Sequence, residues 1–295
     1  MYLSRPAAFT YHRATSVDEA VRLLGELGDA RPLAGGHSLL PAMKLRLSTP
    51  AALVDIGRIA GLDGIEEDGN GVQVGALARH ADVAASPLVQ RRCSALADAA
   101  GLIGDRQVRN RGTIGGSLAH ADPGADYPVV VRALGATITA VGPGGTREIA
   151  ADDFFLGLFT TALEPGELIT GVRVPAAEPG AGSAYVKHPH PASGYSVAGA
   201  AALVSTEGDR CTGVRLVVGG VGPTPVDASA AADGLVGAEP SEDAAAAAAA
   251  SVPDALGGAL GDSYASADYR RHLGAVLARR ALTRAFERAR SPQGA

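Results

Sequence analysis

Tryptophan is absent from this 295-residue chain, and cysteine occurs only twice, at Cys93 and Cys211. An iron-sulfur cluster typically takes four thiolates and a structural zinc site four ligands at close spacing. Two distant thiols therefore exclude either centre within the chain. No uncharged apolar run reaches the roughly 18 to 20 residues that a membrane-spanning helix needs. The opening MYLSRPAAFTYHRATS lacks an apolar signal core followed by a small-residue cleavage site, so a cytoplasmic location is expected. Basic residues are too few for a nucleic-acid footprint: 26 Lys and Arg stand against 31 Asp and Glu, for a net charge of −5.

Glycine, in contrast, is plentiful, at 39 residues that gather in clusters. The length suits two or three compact units, and the pattern places them at 1–57, 58–178 and 179–295. In the first, Ser16 and Glu19 have capping-box spacing, and Val17, Ala20, Val21, Leu24 and Leu27 recur at helical period, predicting a helix over 17–27. RPLA reads as a short strand entering a glycine turn, and AALVDIG, 51–57, as a buried strand a little further on. The second unit opens with a strand at GVQVGALA and continues through LVQRRCSALADAAGLI, which reads as helical. ATITAVGPGGTREIA carries a hairpin signal, and ELITGVRVP is a further strand. PAAEPGAGS, 175–183, reads as the linker to the last unit. That unit pairs strands at AYVKHPHPASGYSVAGAAALVS and CTGVRLVVGGVG with an Ala-rich helix at 244–250. A final helix over about 266–290 puts Tyr269, Leu273, Val276 and Leu277 on one face and Arg280, Arg284 and Arg288 on a solvated one.

Two loops carry candidate chemistry. In LAGGHSLLP, Gly35 and Gly36 can take positive φ without steric cost, which lets backbone N–H groups converge on an anion. Ser38 adds a hydroxyl, and LLPAMKLRL starts a short helix nearby. By itself the stretch reads as readily as a tight turn. It is neither a nucleotide P-loop nor a Gly-x-Gly-x-x-Gly dinucleotide loop. In RGTIGGSLAHADPGADYP, 111–128, a second pair, Gly115 and Gly116, lies beside Thr113 and precedes Asp122 and Asp126. Two such loops suit the ends of an extended pyrophosphate cofactor. Alternatively, the segment is a strand crossing in which Asp126 caps the helix YPVVVRALG.

Together, ARPLAGGHSLLPAMKLRL, TIGGSLAHADPGADYP, DDFFLGLFTTALEPGELITGVRVP and AYVKHPHPASGYSVAGAAALV resemble, in that order and over nearly the whole chain, the FAD-binding medium subunits of molybdenum hydroxylases. Those of aerobic carbon monoxide dehydrogenases are the most alike. The resemblance implies an α+β fold: a two-part FAD-binding region of the vanillyl-alcohol-oxidase or cytokinin-dehydrogenase type, then a small flavoprotein C-terminal domain. It implies an oxidoreductase subunit that holds FAD noncovalently, with no catalytic residue of its own and no metal. Leu33, Ala34, Gly35, Gly36, His37 and Ser38 would form the first cofactor loop, and Thr113, Gly115, Gly116 and Ser117 the second. Ile103 and Gly104 would approach FAD, Asp126 would accept from a sugar or ribityl hydroxyl, Ile169 and Lys187 would lie beside the flavin or its chain, and Tyr195 would stand near the isoalloxazine ring.

The same resemblance implies a large partner subunit with the molybdenum cofactor and a small partner with two [2Fe-2S] clusters, assembled as a dimer of heterotrimers. Electrons would pass from the clusters through FAD to a quinone, NAD or another acceptor, in the cytoplasm or peripherally at the inner face of the membrane. A self-sufficient FAD oxidoreductase of the same fold is the alternative function, and a flavin-free binding module a third. The sequence departs from its model at Ser117, where relatives of the xanthine dehydrogenase branch often carry Asn, and at KHPHPASGY, which replaces a more basic stretch. His37 sits where some oxidases of this fold bond flavin covalently, but no large substrate domain accompanies it here. His188 and His190 read as polar loop residues.

Overall fold

The computed structural model describes residues 5–69 and 71–291. Among the described residues three sheets of three or more strands organise an α+β chain. The first contains β1 (Thr10–Arg13), β2 (Ala30–Leu33) and β3 (Ala52–Asp55), all parallel in the order β1-β3-β2, with helices α1 (Val17–Glu26) and α2 (Leu39–Lys44). Pro32 has no N–H to donate and is tolerated because β2 is an edge strand. Helix α1 starts where the spacing predicts, with Ser16 Oγ accepting from Glu19 N at 3.1 Å. The Glu19 carboxylate, however, accepts from the backbone and hydroxyl of Thr15 and not from Ser16 N. Leu27 is the cap residue, one position beyond the helix. β1 is largely exposed and lacks apolar alternation, so no sequence signal announces it.

The second sheet is antiparallel, in the order β4-β5-β10-β6-β7: β4 (Ile65–Asp68), β5 (Gly71–Gly75), β6 (Thr137–Gly142), β7 (Gly145–Ala150) and β10 (Leu168–Pro175). Between β5 and β6 run α3 (His80–Ala85), α4 (Pro87–Arg92), α5 (Ser94–Leu102), α6 (Arg106–Arg109), α7 (Ile114–His120) and α8 (Tyr127–Ala133). The stretch 88–103 that reads as helical forms two helices, because Cys93 leaves the helical region at φ −143° and ψ 54°. After β7 come α9 (Ala151–Phe154) and the hairpin β8 (Phe155–Gly157) and β9 (Thr160–Thr161).

The third sheet is a meander of β11 (Ala181–Pro189), β12 (Ser196–Glu207), β13 (Arg210–Gly219) and β14 (Val226–Asp227), followed by a 3-10 turn (Ser229–Leu235), α10 (Glu242–Ala250), α11 (Val252–Ala255) and α12 (Ala267–Arg290). The linker is shorter than expected, since Ala181 already belongs to β11.

Helix α12 lies on β11 and β12. Its buried face is Leu273, Leu277, Ala278, Ala281, Leu282, Ala285 and Phe286, whereas Tyr269 is exposed and Val276 half-buried. The expected stripe is therefore rotated towards the alanines, which let the helix approach closely. A Cβ added at Gly182 of β11 would collide with the backbone of α12 at Ala285.

The arginines of α12 correct the solvated-face expectation. Arg288 donates to both carboxylate oxygens of Asp98 on α5, at 2.6 and 2.9 Å, and to Ser183 O. Arg284 approaches the same carboxylate at 3.1 Å, and of the three expected on the solvated face only Arg280 has no ion pair among the described residues. Asp98 also accepts from Tyr185 N, so one carboxylate ties α5, β11 and α12 together. Asp98→Asn should lower stability by about 1.5 to 3 kcal/mol, the range for hydrogen bonds to charged groups. Arg284→Ala, at a half-exposed site, should cost less than about 1 kcal/mol. Urea unfolding of the two variants checks the difference.

Candidate cofactor site

The first glycine loop leaves β2 at Leu33 and enters α2 at Leu39. Only one of its glycines needs positive φ: Gly36, at +74°. Gly35 is required for another reason. A Cβ there would run into the carbonyl oxygen of Arg111 and lie 2.8 Å from Gly112 Cα, so the first loop rests directly on the start of the second. His37 Nδ1 lies 2.9 Å from Gly35 O. Among the described residues no acceptor meets the backbone N–H groups of Gly36, His37, Ser38 and Leu39; the first helical bond is Leu40 N to Gly36 O. Four donors in succession are thus left for a ligand, as an anion site requires.

The second loop behaves differently from expectation. Residues 114–120 form α7, and the donors of its first turn are already taken: Ile114 N by Ala78 O, Gly115 N by Ala76 O, Gly116 N by the capping Thr113 Oγ1 and Ser117 N by Thr113 O. It is no nest. Its contribution is surface: Gly116 is exposed, and a Cβ added there meets only Thr113 Oγ1, at 2.9 Å. Ser117 is half-buried beside it. Thr113 and Gly115 are buried, so they shape the loop from beneath.

Asp126 stands at the N-cap position of α8 but makes no capping bond. Its Oδ1 accepts from Tyr185 Oη at 2.6 Å and Ser196 Oγ at 3.1 Å, and its Oδ2 from Lys187 Nζ at 2.9 Å. The Lys187 and Asp126 side chains are 2% and 5% exposed. Burial pushes the Asp126 carboxyl up, against the pull of Lys187 and the two hydroxyls. Lys187 also donates to Gly194 O at 2.8 Å. Tyr195, which follows, is 41% exposed, and its phenol reaches the Ser38 side chain of the first loop.

These contacts close a circuit. Ser38 meets Tyr195, a Cβ at Gly194 would lie 3.4 Å from Gly104 Cα, Arg109 donates to Ile103 O and Gly104 O at 2.9 Å, and Arg111 lies against Gly35. Residues 33–38, 103–104, 113–117, 126, 187 and 195 are gathered around it. Ile169 is the exception: it is buried in the core of the second sheet beside the β10 bulge. Its link to the ring is indirect, through Thr170 O accepting from Ala76 N.

Sequence reasoning passed over His80 and Arg109. His80 is 4% exposed beneath the second loop. Its ring is tilted against Tyr127, whose hydroxyl lies 3.3 Å from Nδ1, and it fills the space that a side chain at Gly112 would need. Arg109 could have been suspected from its place in the basic run DRQVRNR; nothing in the sequence singles out His80.

With this geometry in view, residues 7–177 match the family model of the FAD binding domain in molybdopterin dehydrogenase, and residues 183–285 that of the CO dehydrogenase flavoprotein C-terminal domain. The chain belongs to this family of molybdopterin-dehydrogenase flavoprotein subunits. It is 43% identical to the carbon monoxide dehydrogenase medium chain of Hydrogenophaga pseudoflava over 96% of this chain and 99% of that one. It is 39% identical to the 6-hydroxypseudooxynicotine dehydrogenase complex subunit alpha of Paenarthrobacter nicotinovorans, over 97% of each. The solved carbon monoxide dehydrogenase from Hydrogenophaga pseudoflava that lacks the Mo-pyranopterin moiety superposes with a TM-score of 0.91 at 44% identity, over 96% of this chain and 99% of that chain. The α+β fold and the FAD-binding oxidoreductase class follow.

His80 yields a pH dependence. Burial, with the nearby charges of His37 and Arg109, lowers its pKa from 6.5 to about 4. The folded state therefore keeps the ring neutral while the unfolded chain takes up a proton. The corresponding stability is present above about pH 6.5 and is lost as pH falls through about 4, a change on the order of 3 kcal/mol. In denaturant titrations at pH 7 and pH 4, His80→Phe should shrink the pH-dependent difference that the wild type shows by roughly that amount.

Proposed function

We propose that the chain is the FAD-binding, electron-transferring subunit of a molybdenum hydroxylase complex. It would take electrons from iron-sulfur clusters of a small partner, filled at the molybdenum centre of a large one, and pass them to an external acceptor. The observation that carries this reading is the row of four unclaimed N–H groups at residues 36–39, set in a ring to which all three sheets contribute. The amides would hold the pyrophosphate, with Ser38 and Ser117 adding hydroxyls. The exposed backbone at Gly116 would let the cofactor lie close, and Tyr195 would face the ring system. FAD, when bound, supplies the redox chemistry; the chain's own residues bind it, orient it and limit the access of water.

Asp126 and Lys187 would serve the site from beneath, because their polar atoms are already engaged. Ile169 would act only indirectly, through the core of the second sheet. His37 is turned back onto Gly35 O, which agrees with a noncovalent cofactor. The units 1–57 and 58–178 would make up the two-part FAD region and 179–295 the C-terminal domain. Assembly as a dimer of heterotrimers in the cytoplasm, or at the inner face of the membrane through the complex, completes the reading. No helix among the described residues is long and apolar enough to cross a membrane. The relatives differ in the substrates they are named for, carbon monoxide in one and 6-hydroxypseudooxynicotine in another, so the substrate belongs to the partner that holds the molybdenum.

Purified with FAD supplied, the chain should hold one FAD that acid precipitation releases into the supernatant; colour retained in the pellet would reject noncovalent binding. Gly116→Val places its bulk on an exposed face where only Thr113 Oγ1 is close. This variant should keep the wild-type circular dichroism yet lose FAD at least about tenfold, the effect of roughly 1.4 kcal/mol. Unchanged flavin content would place the cofactor elsewhere.

A further inference from the structure

The Asp126 carboxylate starts α8, yet every donor it accepts from belongs to β11, β12 or the turn between them. Lys187 is the branch point. Its ammonium donates to Asp126 Oδ2 and also to the carbonyl of Gly194, the residue with φ +73° in the 190–195 turn. That turn is otherwise held at its ends by His190 N to Tyr195 O, Gly194 N to His190 O, and Ser196 N to Gly124 O. Its tip rests on Gly104, and its last residue reaches Ser38. The ammonium is thus the only side-chain donor among the described residues that ties the carbonyl before Tyr195 to the body of the second unit.

We infer that Lys187 is a positioning residue for Tyr195: by pinning Gly194 O to the buried Asp126, it fixes where the Tyr195 ring stands over the first loop, and through that ring it tunes the flavin. The inference rests on the reading that FAD occupies this ring of loops. The physical reason is leverage. A peptide carbonyl held from inside the core sets the direction in which the next side chain leaves the backbone; the backbone of Tyr195 is otherwise tied only within its own turn, to His190 N and Ser193 Oγ, and its ring meets Ser38 and the Gly124 segment. Asp126 in turn keeps the ammonium in place, since a buried cation without a paired anion would be expelled or neutralised.

The experiment uses the full-length chain with FAD supplied. Lys187→Met alone would strand a buried carboxylate, so the working variant is Lys187→Met with Asp126→Asn, which removes both charges together, and Lys187→Arg is the conservative rescue. Three readouts are taken: amide hydrogen exchange of residues 190–195 without FAD, the reduction potential of the bound flavin, and its reoxidation by an added acceptor.

The charge-free pair should exchange about tenfold faster in the turn, as for a segment that has lost one buried hydrogen bond. It should still bind FAD but with a shifted potential and altered reoxidation, and Lys187→Arg should recover part of each. Adding the pair to Tyr195→Ala should change the potential no further than Tyr195→Ala does alone. Unchanged exchange, or potential shifts that simply add, would overturn the positioning role while leaving FAD binding intact. A wild-type chain that takes up no FAD would overturn the underlying reading and this inference with it.

Discussion

A buried carboxylate without partners costs several kcal/mol, and a paired one holds only while its donors stay in place. Asp126 imposes that condition on the whole arrangement. Its donors, Tyr185, Lys187 and Ser196, all come from the third sheet, so the C-terminal unit cannot leave the helical layer of the second without stranding a charge. The docking is continued on one side by apolar packing, with Tyr185, Ala201 and Val217 joining the core of the second unit. On the other it is continued by Asp98, which collects Arg284, Arg288 and Tyr185 N. One acid at each side of the same junction meets basic and hydroxyl groups from across it. The loops of the site inherit their separation from this junction.

Within that frame the two glycine loops divide the work. The first keeps its amides free because Gly36 turns the chain and because Gly35 lets Arg111 O approach too closely for any side chain. The second spends its amides on Thr113, Ala76 and Ala78, so it is rigid but offers a smooth exposed surface at Gly116. A rigid wall opposite a row of open donors suits an elongated ligand whose charge is concentrated at one place.

Much of this was legible in the sequence wherever local chemistry sets the outcome. Ser16, with Glu19 three residues on, marked the first helix; the apolar runs marked β3, β5 and β10; and Pro-Gly marked the turn between β6 and β7. The glycine pairs located both loops. What stayed hidden depends on distant partners. Edge strands β1 and β4 carry TYHR and IEED, which show no burial pattern because their side chains are mostly exposed and, Ile65 apart, meet polar partners such as Asp55, Arg92 and Arg173 instead of a core. The break at Cys93 and the rotated face of α12 follow from packing against other elements. Gly35 and Gly36 look alike in sequence, and only the contact with Arg111 separates a glycine needed for space from one needed for φ. Asp126 was legible as an important acid, but its partners lie roughly 60 to 70 residues further along the chain.

The arginines at 280, 284 and 288 of α12 recur every four residues, about 6 Å and little more than one turn apart. A helix displaced along its axis by a single turn would therefore still offer two guanidinium groups to Asp98, now Arg280 and Arg284 in place of Arg284 and Arg288. Electrostatics alone cannot tell the two placements apart. Volume can: the shift would move Leu282 into the space of Phe286 and Ala278 into that of Leu282, opening voids on the face that covers β11 and β12. The charged ladder is thus degenerate along the axis, and the uneven sizes of its buried neighbours act as the vernier that selects one setting.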